Sequence, residues 1–545
     1  MRFFPVLIAL CLGACASAPP ATYEELLSDA RAGMDVDPAE LKRAFLESDD
    51  YSARMQRLSP LERQALALLE EEPLKLGAIG TAILDQYYGS LAGHHALAEF
   101  YHHVESSDAA ITHERWVERV RKNVEANADG SRESPFRVVS ASEAQTYLVI
   151  TDRSPVGSMY HTTNNVPFMM MIAAKPETGR LQNVFFDLHD AYTAVEESVH
   201  QQTPDRPFNP GALIGFLAQR DDSAAQAFIG TYLASEDRLD EAAEWLTAAS
   251  RSGNVLANLM LARVYWTKAR TLFGAAKDEA MEFVMENYLH AIAVGSDEAM
   301  YTLGALYLGE QFGPENAPSG IALMQQATNL GNTDAMLYLA QMYYQGQQVE
   351  QDYDVSEKHF IQAARYDDPT AKLQYARFLM NPEVAKPFSE QAFDWLNDIA
   401  RQDNAEAMLI IGNLYAKGVH VNQSFRRALS WFRDAATTAP DNSSIINEIA
   451  WTLSVTNLDK LRDERYALKI MDHIMQQDQA ARQTPAFLDT WAAAHAATGD
   501  FQRAVELQQD AVAQATEQQQ TDVLDILKEH LQAFQSGETI TDAVP

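Results

Sequence analysis

The second half of the chain repeats one arrangement of small and large apolar residues. A clear copy contains Ala299, Leu303, Gly304 and Tyr307, which occupy positions i, i+4, i+5 and i+8. This spacing places the four side chains on one stripe of a helix. Because the small residues let a neighbouring helix approach closely, the pattern predicts a helix that is buried against a partner helix.

The same arrangement returns at a constant interval. Its first residues are Ala299, Ala335, Ala371 and Ala407, so that the copies begin 36 residues apart. An earlier copy begins at Ala257, and its following loop is six residues longer. A fixed period of this length is typical of stacked repeats. The other members of the later copies are Leu339, Ala340, Tyr343, Tyr375, Ala376, Leu379, Ile411, Gly412 and Tyr415.

A second helix is predicted in each unit, followed by a tight turn. Trp245, Trp395 and Trp431 each come three residues after an alanine, on the predicted second helices. The turns place a residue that tolerates left-handed backbone before a side chain able to cap the next helix. The units are therefore predicted to be antiparallel helix pairs. The turn sequences are Gly253-Asn254, Gly295-Ser296, Gly331-Asn332 and Asp367-Asp368-Pro369.

These residues resemble the Sel1-like repeat family, whose pattern runs from Ala-x3-Leu-Gly-x2-Tyr-x2-Gly to a Lys/Ala-x2-Trp helix and Gly-Asn. The resemblance covers residues 224–439, and we assign residues 210–440 to Sel1-like repeats. It implies an α-solenoid that binds other proteins. Gln348 and His420 depart from the pattern, because they stand where the family has a second loop glycine.

Helix pairs are predicted to continue through residues 441–534 in a changed register. Leu488, Trp491, Ala492, Ala504 and Ala511 are spaced as in a tetratricopeptide repeat, which they resemble. A last amphipathic helix at 521–534 is predicted to cap the stack. Residues 535–545 are predicted to be a flexible tail.

The first half of the chain has two predicted parts. Residues 23–133 have high helix propensity, and residues 134–195 change to short runs rich in β-forming residues. The overall prediction is a mainly α protein: a solenoid of Sel1-like and TPR-like helix pairs, an N-terminal helical region and a small antiparallel β module. The predicted helices are Glu24–Gly33, Asp37–Phe45, Leu61–Glu71, Leu76–Tyr88 and His94–Val104, and the predicted strands are Phe136–Val139, Tyr147–Thr151, Phe168–Ala173 and Val184–Leu188.

The N-terminal parts also resemble a group of uncharacterised bacterial proteins with a helical hairpin and a small β module. The resemblance rests on the Ser134-Pro135-Phe136 run and on Tyr147-x-Val149, after a polar Asn/Asp/Gly segment. No activity is attached to that group. The likeness therefore adds an expectation about the fold and none about chemistry.

Charge and cysteine content exclude several functions. The 545 residues include 42 Lys and Arg against 76 Asp and Glu, a formal net charge of −34. Such a charge opposes the approach of phosphate backbones, so nucleic acid is not an expected partner. Both cysteines, Cys11 and Cys15, lie at the very start of the chain. The remainder can form no disulfide, zinc-thiolate site or cysteine nucleophile.

The first residues are typical of an export signal. Arg2 precedes an apolar run from Phe3 to Leu12 that is too short to span a bilayer as a stable helix. The run Leu12-Gly13-Ala14-Cys15 resembles the bacterial lipoprotein signal, which implies a signal peptide at 1–14, acylation of Cys15 and a tether at 15–22. An ordinary secretory signal with a coincidental cysteine is the alternative.

The lipoprotein resemblance also implies a location. Ala16 and Ser17 follow the cysteine where an Asp would mark retention in the inner membrane. The expected site is the bacterial outer membrane, with the folded part facing the periplasm. The lipid is the expected membrane contact, because no later segment has the run of about eighteen consecutive apolar residues that a membrane helix needs.

One group of residues could bind a metal ion. His95, Glu99 and His102 lie at i, i+4 and i+7 of a predicted helix, a spacing able to converge on one ion. The alternative, which we favour, is an amphipathic helix with histidines at the edges of its apolar face. Asp187 and Asp190 flank His189, but a strand leading into a helix capped by Asp190 explains this segment equally well.

No catalytic residue and no cofactor are predicted, because neither a phosphate-binding loop nor a dinucleotide fingerprint is present. The tyrosines Tyr265, Tyr307, Tyr343 and Tyr415 could form a stacking platform, but their place beside Leu and Ala at helical spacing favours core packing.

Two functions from different classes remain open. The first is a non-catalytic adaptor that holds other proteins or peptides in a cell-envelope complex, since solenoids expose extended binding surfaces. Its partners are expected to be basic because the chain is acidic. In the second, the N-terminal β module is a small-ligand, metal-binding or hydrolytic unit mounted on the solenoid.

Overall fold

The computed structural model describes residues 20–69, 71–163, 167–202, 209–309 and 312–544. The predicted signal peptide and Cys15 lie outside these residues. The chain divides into two compact units, Met1–Tyr307 and Leu308–Pro545. Within the described residues, no helix combines the length and hydropathy that a membrane span requires.

Six helices open the first unit and confirm the predicted helical region. All five predicted helices are present, although α3 starts ten residues before the expected Leu61 and continues through Pro60. Its start is stabilised because Tyr51 and Leu58 are buried in the core. The helices are α1 (Tyr23–Arg31), α2 (Pro38–Leu46), α3 (Tyr51–Leu68), α4 (Leu76–Gln86), α5 (Leu91–His103) and α6 (Ser107–Val124).

The β module is a mixed four-stranded sheet with one helix inserted. The strands follow the order β1-β4-β3-β2, and β1 runs parallel to β4, whereas the other neighbours are antiparallel. The expectation of an all-antiparallel sheet is therefore wrong. The elements are β1 (Phe136–Arg137), α7 (Ala141–Val149), β2 (Arg153–His161), β3 (Met169–Pro176) and β4 (Gln182–Asp187).

One predicted strand, Tyr147–Thr151, is also wrong, because its residues belong to the end of α7 and the following turn. The hydroxyl of Ser140 accepts a hydrogen bond from the Glu143 N–H at 2.9 Å and caps this helix. Tyr147 and Leu148 are then buried on one side of it. The β-forming side chains thus reach the core from a helix. Strand β2 was not predicted.

The sheet and the helices of the first unit share one hydrophobic core. This core joins Phe45 of α2 and Phe186 of β4 to Ala224 and Ala225 of the first repeat. The β module is consequently part of the same packed body as the first repeat. The remaining helices of this unit are α8 (His189–Gln202), α9 (Pro210–Ala218), α10 (Ser223–Ser235), α11 (Leu239–Arg251), α12 (Val255–Ala269), α13 (Ala275–Ala293) and α14 (Asp297–Leu308), the last ending at the unit boundary.

The second unit consists of helix pairs followed by a final helix. Antiparallel helix pairs are present in each of the two units, and the protein is mainly helical. The helices are α15 (Ala317–Asn329), α16 (Thr333–Gln345), α17 (Tyr353–Ala364), α18 (Pro369–Met380), α19 (Glu390–Ala400), α20 (Ala405–Lys417), α21 (Phe425–Thr438), α22 (Ser443–Val455), α23 (Glu464–Gln477), α24 (Pro485–Ala497), α25 (Phe501–Glu517) and α26 (Thr521–Gln535).

The turns between successive helix pairs have the predicted residues in the predicted conformation. Gly331 has a φ of 91°, and the next residue, Asn332, accepts a hydrogen bond from the Ala335 N–H at 2.8 Å. Asp367 adopts the same left-handed region at 62° without being a glycine, and Asp368 then caps α18. The backbone geometry is thus retained where the sequence departs from Gly-Asn.

Gly412 of α20 lies directly against Phe432 of α21. A Cβ atom at Gly412 would lie 2.5 Å from Cε1 of Phe432, so a larger residue would require the ring or the helix to shift. Gln348 and His420, at the missing loop glycines, have positive φ values of 60° and 64°. Both loops therefore keep the left-handed turn at some conformational cost.

The end of the chain differs from the predicted flexible tail. The Asp542 N–H donates to the carbonyl of Val455 at 2.7 Å, and the Asn457 N–H donates to the carbonyl of Asp542 at 3.0 Å. Ile540 and Val544 pack against the core of this unit. The segment is held because backbone bonds and two apolar contacts oppose its mobility.

Candidate protein-binding site

The repeat residues predicted from the sequence lie where the helices meet. Ala299, Leu303, Ala335, Leu339 and Ala407 are completely buried. Trp395 and Trp431 are half-buried and pack against the core of the second unit. These residues form the interior of the helix pairs, and their role is packing.

The tyrosines at the end of the repeat pattern are only half-buried. Tyr265 stacks on Phe283 at 4.6 Å, and Tyr343 stacks on His359 at 6.1 Å, in each case within its own helix pair. Tyr415 accepts a hydrogen bond from Arg427 at 3.1 Å. Each of these three rings is therefore covered by the second helix of its pair.

The first helices of successive pairs in the second unit are linked by polar side chains. Arg377 of α18 donates through Nε to Glu406 of α20 at 2.9 Å, and Asn413 of α20 donates through Nδ2 to Glu448 of α22 at 3.2 Å. These contacts place α18, α20 and α22 side by side. We call the surface that they share the first-helix face, defined by Arg377, Glu406, Asn413, Lys417, Asn447, Glu448 and Trp451.

The first-helix face contains two acceptor atoms with unused capacity. Asn413 is only 3% exposed, and no described donor reaches its Oδ1 atom. The Oδ1 atom of Asn447, on the neighbouring helix, is in the same situation. A buried carbonyl oxygen without a donor costs free energy. Because both oxygens are enclosed by the protein, a partner on the surface does not reach them, and the fold bears this cost.

Lys417 lies one turn beyond Asn413 on the same helix. Burial lowers the pKa of this ammonium group, and the carboxylate of Glu448 opposes the shift. The half-buried charge remains available to an acceptor group on a partner. The face therefore offers the ammonium group of Lys417 and the carboxylate of Glu406, both on α20.

In the first unit, the edge strand β2 is covered by the repeats. Asn254, the cap of α12, donates through Nδ2 to the Ser158 carbonyl at 2.6 Å and accepts from the Ser158 N–H at 3.2 Å. A Cβ atom at Gly157 would lie 2.7 Å from Oδ1 of Asn254. Covering an edge in this way removes a surface on which other strands could pair.

Two buried carboxylates in the first unit have a structural role. Glu62 accepts hydrogen bonds from the hydroxyls of Ser90 and Ser140, at 2.7 and 2.8 Å. The same serines cap α5 and α7. Burial raises the pKa of Glu62 to about 7 and also raises the pKa of Glu143. Because Glu62 is completely buried with both oxygens bonded, it holds two helix starts together and is closed to a substrate.

The candidate metal ligands are only partly brought together. His95 Nδ1 lies 4.0 Å from a Glu99 oxygen, whereas His102 binds Glu114 of α6 at 2.6 Å. Among the described residues, no group of three or more His, Cys, Asp or Glu side chains is placed to hold a metal ion.

The predicted capping of α8 by Asp190 is wrong. This helix starts at His189, and Asp187 Oδ1 accepts the His189 N–H at 2.8 Å. Asp190 lies in the first turn, where its negative charge interacts favourably with the positive end of the helix dipole. The two carboxylates thus serve the start of a helix.

Four segments of the helix pairs match a known family model. The model of the Sel1 repeat matches residues 223–254, 297–332, 333–365 and 405–437. These four segments are similar to the Sel1 repeat. The helix pairs α12–α13 and α18–α19 lie between the matched segments and keep the same architecture. The first has the longer loop, and the second has Asn381-Pro382 in place of the loop glycine.

Comparison with solved structures finds similar chains at low sequence identity. The Sel1 repeat protein from Oxalobacter formigenes is 19% identical with a TM-score of 0.31, covering 41% of this chain and 93% of that protein. The protective antigen c5321 of uropathogenic Escherichia coli, which displays an SLR fold, is 14% identical with a TM-score of 0.41, covering 96% and 99%. The TPR domain of P58(IPK) is 13% identical with a TM-score of 0.24, covering 88% and 98%. No curated protein is significantly similar in sequence.

The residues of the first-helix face were not predicted. Asn413, Lys417 and Glu448 are separated by up to a full repeat, and nothing in their local pattern distinguishes them from other polar helix residues. One signal was available, because Arg377 and Asn413 lie 36 residues apart, at equivalent positions on successive first helices. Equivalent positions of this kind line one surface of stacked repeats.

Proposed function

We propose that this Sel1-repeat protein is a non-catalytic adaptor that binds extended segments of partner proteins on the first-helix face. The observation that carries the proposal is the continuous polar surface of α18, α20 and α22, which are joined by the Arg377–Glu406 and Asn413–Glu448 contacts. The side chain of Glu406 is 37% exposed on this surface, where its carboxylate would bind a basic group of an extended segment. Solenoids of stacked helix pairs use such continuous surfaces for binding.

Anchoring at the outer membrane is part of the same proposal. It is supported by the apolar run before Cys15 and by the resemblance of Leu12-Gly13-Ala14-Cys15 to a lipoprotein signal. Several acyl chains, each contributing about 0.8 kcal/mol per buried CH2 group, would hold the chain firmly. The repeats would then face the periplasm and organise a cell-envelope complex.

The net charge of −34 favours basic partners. Complementary charge would raise the association rate and make it sensitive to salt. The β module supports this function, since its edge strand and core are joined to the first repeat.

Photo-crosslinking in cells tests the proposal. A benzoylphenylalanine residue would replace Arg377, which is 55% exposed on the first-helix face. The matched control replaces Arg401, which is 75% exposed at the end of α19. Adducts with a discrete partner from position 377, and none from position 401, are expected. Equal adducts from both positions would reject the proposed binding face.

A further inference from the structure

The chain carries an extended segment that binds its own repeats. After α26, Gly537 adopts a positive φ of 72° and turns the chain back. Asp542 then pairs with Thr456 as in a parallel ladder. Thr456 ends α22 in an extended conformation, with φ −54° and ψ 138°. The end of a first helix therefore presents a carbonyl and an N–H group to an extended chain.

Side chains of the segment alternate between contact and solvent. Ile540 and Val544 are half-buried against the core of the second unit, whereas Thr541 and Ala543 are exposed. Between them, Asp542 accepts a hydrogen bond from Trp451 Nε1 at 3.3 Å. Alternation of this kind is the geometry of a strand that lies on a surface. The bound segment thus has the pattern apolar-x-Asp-x-apolar.

The surface beneath the segment suits an acidic residue. Arg462 donates through Nε to the Thr456 carbonyl at 2.7 Å, so its positive charge lies beside the paired residue. The Trp451 ring lies 5.8 Å from the ring of His530, which binds Asp489 at 2.8 Å. A donor and a cation thus accompany the two backbone bonds, in a chain that is otherwise strongly acidic.

We propose that this surface, which we call the terminal groove, is a docking site for an extended partner peptide of the pattern apolar-x-Asp-x-apolar. It is defined by Trp451, Val455, Thr456, Asn457 and Arg462. Residues 537–544 occupy the groove in cis, and a partner segment displaces them. The inference rests on the proposed adaptor function and adds the partner's sequence and a mode of autoinhibition. Main-chain bonds supply affinity and the alternate side chains supply specificity, as in other strand additions.

Tethering explains why the groove stays closed without a partner. A segment joined by a short connection competes at an effective concentration on the order of millimolar. An isolated peptide of the same sequence therefore binds the intact chain weakly even where its own affinity is micromolar. When the tethered segment is removed, the isolated peptide binds the groove without this competition, and its own affinity is measured.

The test measures fluorescence polarisation of a labelled synthetic peptide of residues 536–545. It compares the full chain with the same chain lacking residues 537–545. The shortened chain is expected to bind at least tenfold more tightly. A peptide carrying Asp542→Ala, the matched control, is expected to bind at least tenfold more weakly to the shortened chain. Circular dichroism confirms that both chains are folded.

Three results would overturn the inference: equal peptide affinity of both chains, equal affinity of the two peptides, or an intact chain that is a dimer and becomes a monomer on deletion. The last result would mean that the segment is exchanged between copies. Crosslinks from position 377 are measured separately. If they persist while the peptide test fails, the terminal groove is rejected and the adaptor function stands.

Discussion

Asn254 and Ser158 bind each other through both polar atoms of the asparagine amide, at 2.6 and 3.2 Å. Asn254 also caps α12 by accepting the Leu256 N–H at 3.2 Å. One residue of the repeat signature thus starts a helix and covers the edge of the sheet. The β module and the repeats of the first unit are therefore expected to unfold together.

Replacing Asn254 tests this double role. Asn254→Ala is expected to destabilise the protein by about 2–4 kcal/mol, because a cap and two bonds to a buried strand are lost together. Asn404→Ala is the matched control, since Asn404 only caps α20 through the Ala407 N–H at 2.9 Å. It is expected to cost about 1 kcal/mol. Urea unfolding measures both, and equal losses would contradict the account.

Replacing Gly412 tests the register of the repeats. Gly412→Ala is expected to destabilise the second unit by about 1–3 kcal/mol, because the new methyl group meets the ring of Phe432. Gly304 occupies the same position of its repeat, and Gly304→Leu is expected to overpack in the same way.

The control for Gly412 is Gly215 of α9, where an added methyl group would have no described neighbour within 4 Å. Gly215→Ala is expected to stabilise by up to about 1 kcal/mol, the ordinary helix-propensity gain. Thermal unfolding distinguishes the two. A stabilising Gly412→Ala would show that the helices do not approach there.

Glu62 is expected to make stability depend on pH. Its pKa rises from the ordinary 4.5 to about 7 on folding, so the folded protein retains a proton that the unfolded chain releases. The retained proton stabilises the folded protein fully below pH 4.5. This part of the unfolding free energy is lost as the pH rises towards 7, by on the order of 3 kcal/mol at most. Glu62→Gln should remove it.

His94 also makes the free energy of unfolding depend on pH. Burial lowers its pKa to about 3, so the fold loses stability as the pH falls and the unfolded chain takes up a proton. The informative quantity is therefore the difference in unfolding free energy between wild type and Glu62→Gln, measured from pH 4.5 to 7.5. That difference should change with pH in the stated direction. A constant difference would show that Glu62 has an ordinary pKa.

Cys15→Ser tests the proposed anchor. The variant is expected to leave the membrane fraction, because the acyl group is the proposed membrane attachment. Fractionation after a high-salt wash, with immunoblotting, is the measurement. A variant that remains with the membrane would reject lipidation as the means of attachment.

The helix pairs could be predicted because their pattern is local. A small residue, a large residue and a turn recur within each helix pair. Each of these signals depends on residues that lie within one or two helical turns of one another. The prediction of a strand at Tyr147–Thr151 is wrong because the Ser140-x-x-Glu143 signature, which marks a helix start, outweighs the β propensity of these residues. Strand β2 was missed because Pro155 and Gly157 interrupt its pattern.

The contacts that define the binding surfaces are long-range and could not be predicted in this way. Asn413 and Glu448 are one repeat apart, and Trp451 and Asp542 meet only after the last helices have packed. The segment at 537–544 has only two large apolar residues, Ile540 and Val544, so its sequence resembles that of a free tail.

The central claim is that the first-helix face binds a partner protein through the carboxylate of Glu406, which pairs with Arg377. The most direct measurement is the affinity of the purified, crosslink-identified partner for wild type, Glu406→Ala and Asp398→Ala, by isothermal titration calorimetry. Asp398 is the matched control, because it pairs with Arg401 at the end of α19. Glu406→Ala should weaken binding at least tenfold, corresponding to about 1.4 kcal/mol, while the Asp398→Ala control binds as wild type. Equal affinity of all three proteins would contradict the claim.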